Sequence, residues 1–165
     1  MLNKFDFGNG LVNAHKHENG GGWVADTADV SYTAYVGINA VVYHNAKVSN
    51  NAQVAGNARV YGNAQISDNA DVFGYAEVFG NAQVYTDAEV SGYALVSGDA
   101  VVTGDAKVSG GTKLLDYDYI LEDPERVFAN GFVSKRDWLT NPPVGYSEEC
   151  EMLDDSDANN PNNLK

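Results

Sequence analysis

A six-residue phrase governs this chain. Val24 opens it, and every sixth residue through Val108 is again Val, with Ile66 the single exception. That makes fifteen hexads in succession, without an insertion or a slip. The fifth position is Ala from Ala28 to Ala106 and Thr112 in the last hexad, while the third and fourth positions are mostly Gly, Asn or Asp. A period of six cannot hold one face of a 3.6-residue helix, and a Gly-Asn pair in each repeat would break one. Short strands joined by regular corners do fit. The branched residue points inward, its two neighbours point outward, and the next pair turns the chain. The small Ala then packs inside the corner.

Three such sides close a triangular coil of eighteen residues, so fifteen hexads give about five coils. At roughly 4.8 Å per coil the prism is about 24 Å long. Each Val lies over another Val eighteen residues away. Burying one contributes on the order of 1.5 kcal/mol before entropy, so the column is stabilising only collectively, as in other stacked repeats. The reading is therefore all-β: a parallel β-helix over 24–113, an N-terminal cap over 1–23, a C-terminal cap over 114–146 and an acidic tail over 147–165.

Sorting the outward positions by the eighteen-residue coil separates three faces. The first stacks Val41, Tyr43, Arg59, Tyr61, Glu77, Phe79 and Leu95, with Trp23 entering below. It alone carries an aromatic ladder. The second and third faces mix Ser, Gln, Lys, Asp and Glu with scattered aromatics. An apolar stripe on a solenoid marks a covered surface. Trp23, Val41, Tyr43, Arg59, Tyr61, Glu77, Phe79 and Leu95 are thus expected to form an interface, with a second copy or with the chain's own C-terminal segment as cover. Ice binding would want paired outward Thr residues on one flat face, and the second face lacks them. The corner column Asn45, Asn63 and Asn81 reads as turn residues that tolerate left-handed φ and stack their amides.

These hexads resemble the hexapeptide-repeat, left-handed parallel β-helix proteins, a group that includes trimeric acyltransferases and γ-class carbonic anhydrases. Their NA-x-V-x-G character is most similar to bacterial and phage repeat proteins. The resemblance implies left-handed winding and threefold self-association. For an acyltransferase it implies coenzyme A as donor and a His as general base, and His44 is the one His inside the repeat. Against that stand the absence of a looped-out segment, of a basic cluster for phosphates, and of an acid next to His44 in sequence. A carbonic anhydrase needs three His ligands, and His15 and His17 lie outside the hexads.

The ends are less regular. The glycine-rich run before Trp23 reads as a cap that closes the open strand edge. His15 and His17, two residues apart, can begin a metal site only with a third ligand, and polar cap residues are the simpler reading. After Lys113 the rhythm stops. Asp123, Pro124 and Asn130-Gly131 bracket a short helical turn within the C-terminal cap. Cys150 stands alone, so no disulfide forms within one chain.

The net charge of −13 divides as 0 over 1–23, −5 over 24–113 and −8 over 114–165. Such a surface repels phosphate backbones, so nucleic acid is not an expected partner. No run of about 18 apolar residues occurs, so no membrane helix is expected. The opening lacks the apolar core of a signal peptide, which points to a cytoplasmic or virion-associated protein. The expected function is a non-enzymatic scaffold or binding module that self-associates as a trimer, with no cofactor. It would hold a partner protein or small ligand at its subunit seams. The alternative is acyl transfer through His44.

Overall fold

The computed structural model describes residues 3–120. Two residues of each hexad, an outward one and the branched aliphatic after it, form a short parallel strand, and three sheets result. One is eight-stranded, one six-stranded and one five-stranded. Every described element is a strand, and no helix among the described residues is long and apolar enough to cross a membrane. Register follows the eighteen-residue coil without drift. Val24 pairs with Val42, then come Val60, Val78, Val96 and Leu114 in turn. The coil is a parallel β-solenoid of about five turns.

Above the lowest coil the inward Val column and the corner Ala column are fully buried, whereas Val30 and Ala28 are only partly so. Backbone bonds climb from coil to coil, as from Gln65 N–H to Ala82 C=O at 2.9 Å and from Tyr61 N–H to Val78 C=O at 3.0 Å. The stacking passes the expected end at 113. Lys113–Leu114 pairs with Leu95–Val96, and Tyr119–Ile120 pairs with Val101–Val102. The rhythm is hidden there because Leu114 and Ile120 replace Val, and Asp118 takes the place of a corner Ala. The helical turn expected around Asp123, Pro124 and Asn130 lies outside the described residues, as do the rest of the C-terminal cap and the acidic tail.

At the corners the amides stack as expected. The Asn45 side chain donates to Asn63 at 3.4 Å, Asn63 to Asn81 at 3.1 Å, and Asn81 to Asp99 at 2.9 Å. The left-handed backbone, however, belongs to the residue before each: His44 (φ 59°), Gly62 (φ 74°) and Gly80 (φ 72°). Gly62 is required by space as well, since a Cβ there would sit 2.9 Å from Gly80 N.

The N-terminal cap is a hairpin. Strands β1 (Lys4–Asp6) and β2 (Leu11–Lys16) are antiparallel, and β2 pairs antiparallel with β3 (Trp23–Ala25) along the lower edge of the first face. Between β2 and β3 the chain crosses to the lower edge of the third face, at strand β5 (Tyr35–Val36). There Val36 N–H donates to Asn19 C=O and Gly22 N–H donates to Val36 C=O, each at 2.9 Å.

The third face carries a local conflict. Asp71 and Glu89 are directly opposite in register, while Glu89 is paired with Lys107 at 3.4 Å. Asp71 Oδ1 is buried without a hydrogen-bond partner. Burial, with Glu89 adding to it, raises the Asp71 pKa above the usual carboxylate range. The folded state therefore holds this proton more tightly than the unfolded chain does, so stability falls as pH rises through the folded pKa. Asp71→Asn should stabilise the protein at pH 7 by on the order of 1 kcal/mol. The gain should vanish below the unfolded carboxylate value of about 3.9. Urea unfolding at pH 3.5 and pH 7 checks this, and an equal effect at both would contradict it.

Candidate functional site

The first face begins with rings spaced by the coil. Tyr43, Tyr61 and Phe79 occupy the same hexad position on successive coils, so their rings stack at 4.9 Å, tilted by 12° and 3°. The N-terminal hairpin extends this ladder downward. Phe7 stacks on Tyr43 at 4.9 Å, Phe5 meets Phe7 edge-on at 4.8 Å, and Phe5 stacks on Trp23 at 4.7 Å. The alternation Phe5-Asp6-Phe7 before Gly8 is the sequence signal for this, since alternate residues of a strand share a face. Sequence reasoning missed both phenylalanines.

The cover over the lower ladder is thus the chain's own beginning. Tyr43 retains 3% exposure, and Trp23 and Val41 pack into the same small cluster with Phe5, Phe7 and Ala25. Of the interface residues expected from sequence, these three pack against the hairpin, Tyr43 buried and Trp23 and Val41 partly buried. Arg59, Tyr61, Glu77, Phe79 and Leu95 remain partly exposed above the hairpin. The C-terminal segment, the other expected cover, lies outside the described residues.

Arg59 ties the two zones together. Its Nη2 donates to Tyr43 Oη at 2.8 Å and to Phe7 C=O at 3.2 Å, and its Nη1 lies 3.5 Å from Glu77 Oε1. The guanidinium carbon stands 5.7 Å from the ring centres of both Tyr43 and Tyr61, within cation–π reach. The Tyr61 hydroxyl donates to Glu77 Oε2 at 3.1 Å. Burial, followed by the adjacent Glu77 carboxylate, pushes the Tyr61 pKa up to about 12. Burial also raises that of Tyr43, against an opposing pull from Arg59. Both phenols stay neutral over the physiological range, Tyr61 donating to Glu77 and Tyr43 accepting from Arg59. The Arg59–Glu77 pair is half-exposed and contributes little by itself, but its hydrogen bonds fix the orientation of the rings.

Beside the ladder lies a cleft of about 350 Å³ whose walls include Phe7, Val12, Asp26, Thr27, Tyr43 and His44. His44 is the sequence-derived general-base candidate. Its ring packs 4.8 Å from that of Tyr43, and edge-on to Tyr61 at 6.3 Å. The coil does place an acid, Asp26, in the same column one turn below. Asp26 is engaged elsewhere, its Oδ1 lying 3.0 Å from His15 Nδ1. No cationic side chain lines the cleft, so phosphates of a coenzyme would find no counter-charge there.

His15 and His17 do not converge. The cap holds His17 buried, with Nε2 donating to Ala34 C=O at 2.9 Å, which fixes its tautomer. His15 is exposed beside Asp26. Among the described residues no three His, Cys, Asp or Glu side chains are grouped as a metal site. No protein-family model matches the chain, and neither a curated protein nor a solved structure matches it.

Proposed function

We propose that this chain is a non-enzymatic, self-associating structural or binding module. It is a rigid prism that packs against further copies of itself through the upper rungs of its first face. The observation that carries this reading is the half-covered ladder. The hairpin buries the rungs up to Tyr43, and the same stack continues through Tyr61 and Phe79 to Leu95 with side chains still partly exposed. Such a stripe gains by burial against a second apolar face. The uniform hexads, unbroken by any loop that would wall a substrate pocket, support shape rather than catalysis as the product. The engagement of Asp26 by His15, which leaves His44 without an orienting acid among the described residues, weighs against acyl transfer.

The resemblance of the hexads to left-handed hexapeptide-repeat proteins supports left-handed winding and a trimer, with a partner protein or small ligand held at the seams. A cytoplasmic or virion-associated role fits the same reading. Light scattering tests it. Wild type should run as an oligomer, and Phe79→Asp should shift it to a monomer with an unchanged far-ultraviolet spectrum. Phe79 is the variant of choice because, among the described residues, it has a ring partner on one side only, Tyr61. A monomeric wild type would end the proposal.

A further inference from the structure

The lower end of the solenoid has three strand edges, and the N-terminal cap closes two. On the first face, β2 pairs along β3. On the third face, residues 19–22 satisfy Val36 N–H and C=O, and His17 and Asn19 side chains both donate to Ala34 C=O, at 2.9 and 3.1 Å. Among the described residues the lowest strand of the second face, β4 (Asp29–Val30), pairs only with the strand above it. Asp29 N–H donates upward to Ala46 C=O and Ser31 N–H to Val48 C=O, each at 2.9 Å. In a parallel ladder alternate residues face opposite neighbours. The N–H and C=O of Val30 therefore point down, as those of Val36 do. They find no described partner, nor does Ala28 C=O. Above them Val48, Ile66, Val84 and Val102 are fully buried, whereas Val30 and Ala28 are only partly so.

We propose that this gap is a docking site for one extended peptide strand from a basic partner protein, which completes the missing side of the cap layer. Main-chain bonds to an exposed edge supply affinity, and alternate side-chain pockets supply selectivity. One occupant residue faces inward beneath Val30 and must be a small or branched aliphatic. Its outward neighbours lie beneath Asp29 and Ser31. Asp29 is exposed and has no ion pair among the described residues, so lysine or arginine fits beside it. A second copy of the solenoid does not fit. Each copy carries its own cap in this layer on the other two faces, and the caps would meet before two β4 edges came within pairing distance. The site is separate from the aromatic ladder, so it does not depend on self-association.

The test uses the full chain, amide hydrogen exchange, and a capped five-residue peptide of alternating lysine and valine. Controls are the same peptide N-methylated at its central residue, and one with glutamate for lysine. In the free protein the Val30 amide should exchange at least about tenfold faster than that of Val36. The lysine–valine peptide should slow Val30 exchange at least tenfold at saturation, and both controls should fail to do so. Asp29→Asn, an exposed position that leaves the core untouched, should weaken the peptide several-fold. A Val30 amide already protected in the free protein would overturn the proposal. So would equal binding of the N-methylated peptide, peptide protection that maps to the aromatic rungs, or no binding at millimolar peptide.

Discussion

Val78→Asp is expected to leave the chain without a cooperative unfolding transition at 25 °C, whereas Val30→Asp should retain one. Val78 is fully buried midway up the column, directly between Val60 and Val96, with the buried corner alanines beside it. An aspartate there loses about 1.5 kcal/mol of apolar burial. It also places a charge where no partner exists, at a further cost of about 3–5 kcal/mol. Together these rival the about 5–15 kcal/mol that holds a typical domain together. Position matters too, because a solenoid is stabilised by nearest-neighbour coils, and a broken middle coil separates the two halves. Val30 lies on the lowest coil and is partly exposed. Its aspartate can reach water, so the cost should be about 1.5 kcal/mol or less. Urea titrations followed by far-ultraviolet circular dichroism check both variants. Equal losses would contradict the account of the column.

Tyr43→Ala should cost about 3–4 kcal/mol and release the N-terminal hairpin. The ring is stacked between Phe7 and Tyr61, and its hydroxyl accepts from Arg59. Removing it opens a cavity under β1 and leaves Arg59 with one fewer acceptor in a partly buried position. Tyr43→Phe keeps the stack and loses only the hydrogen bond, so it should cost about 1 kcal/mol. Hydrogen exchange resolves the consequence by region. In Tyr43→Ala the amides of residues 4–16 should lose protection, while those around Val84 should keep it. Uniform loss along the whole chain would show that the hairpin is not a separate unit held by this ring.

Much of this architecture is legible in the sequence because one residue type repeats at one spacing. Val at every sixth position dictates inward strands, Ala dictates tight corners, and the eighteen-residue coil sorts Tyr43, Tyr61 and Phe79 onto one face. The limits have physical causes as well. Leu114 and Ile120 continue the column, but Asp118 breaks the Ala rhythm, its carboxylate instead accepting from Leu115 N–H at 2.8 Å. At Asn45, Asn63 and Asn81 the left-handed residue is the one before the Asn. Asn45 stacks its amide while His44 bends the backbone, and the composition of the pair does not reveal which does which. The hairpin cover was the larger omission. Phe5 and Phe7 lie outside the repeat, so no periodicity aligns them with Tyr43, though their alternation before a Gly-rich turn was a usable signal. His15 and His17 look equivalent by spacing, yet the strand ends between them. One reaches Asp26 at the surface and the other is buried against Ala34 C=O.

Native mass spectrometry of the full chain at micromolar concentration tests self-association through the first face most directly. It also reports any retained ligand. Self-association predicts a species at a multiple of 17.7 kDa, three in the proposed trimer, which collapses to one in Phe79→Asp. A wild-type spectrum holding only the 17.7 kDa species, or an oligomer that survives Phe79→Asp unchanged, would contradict it.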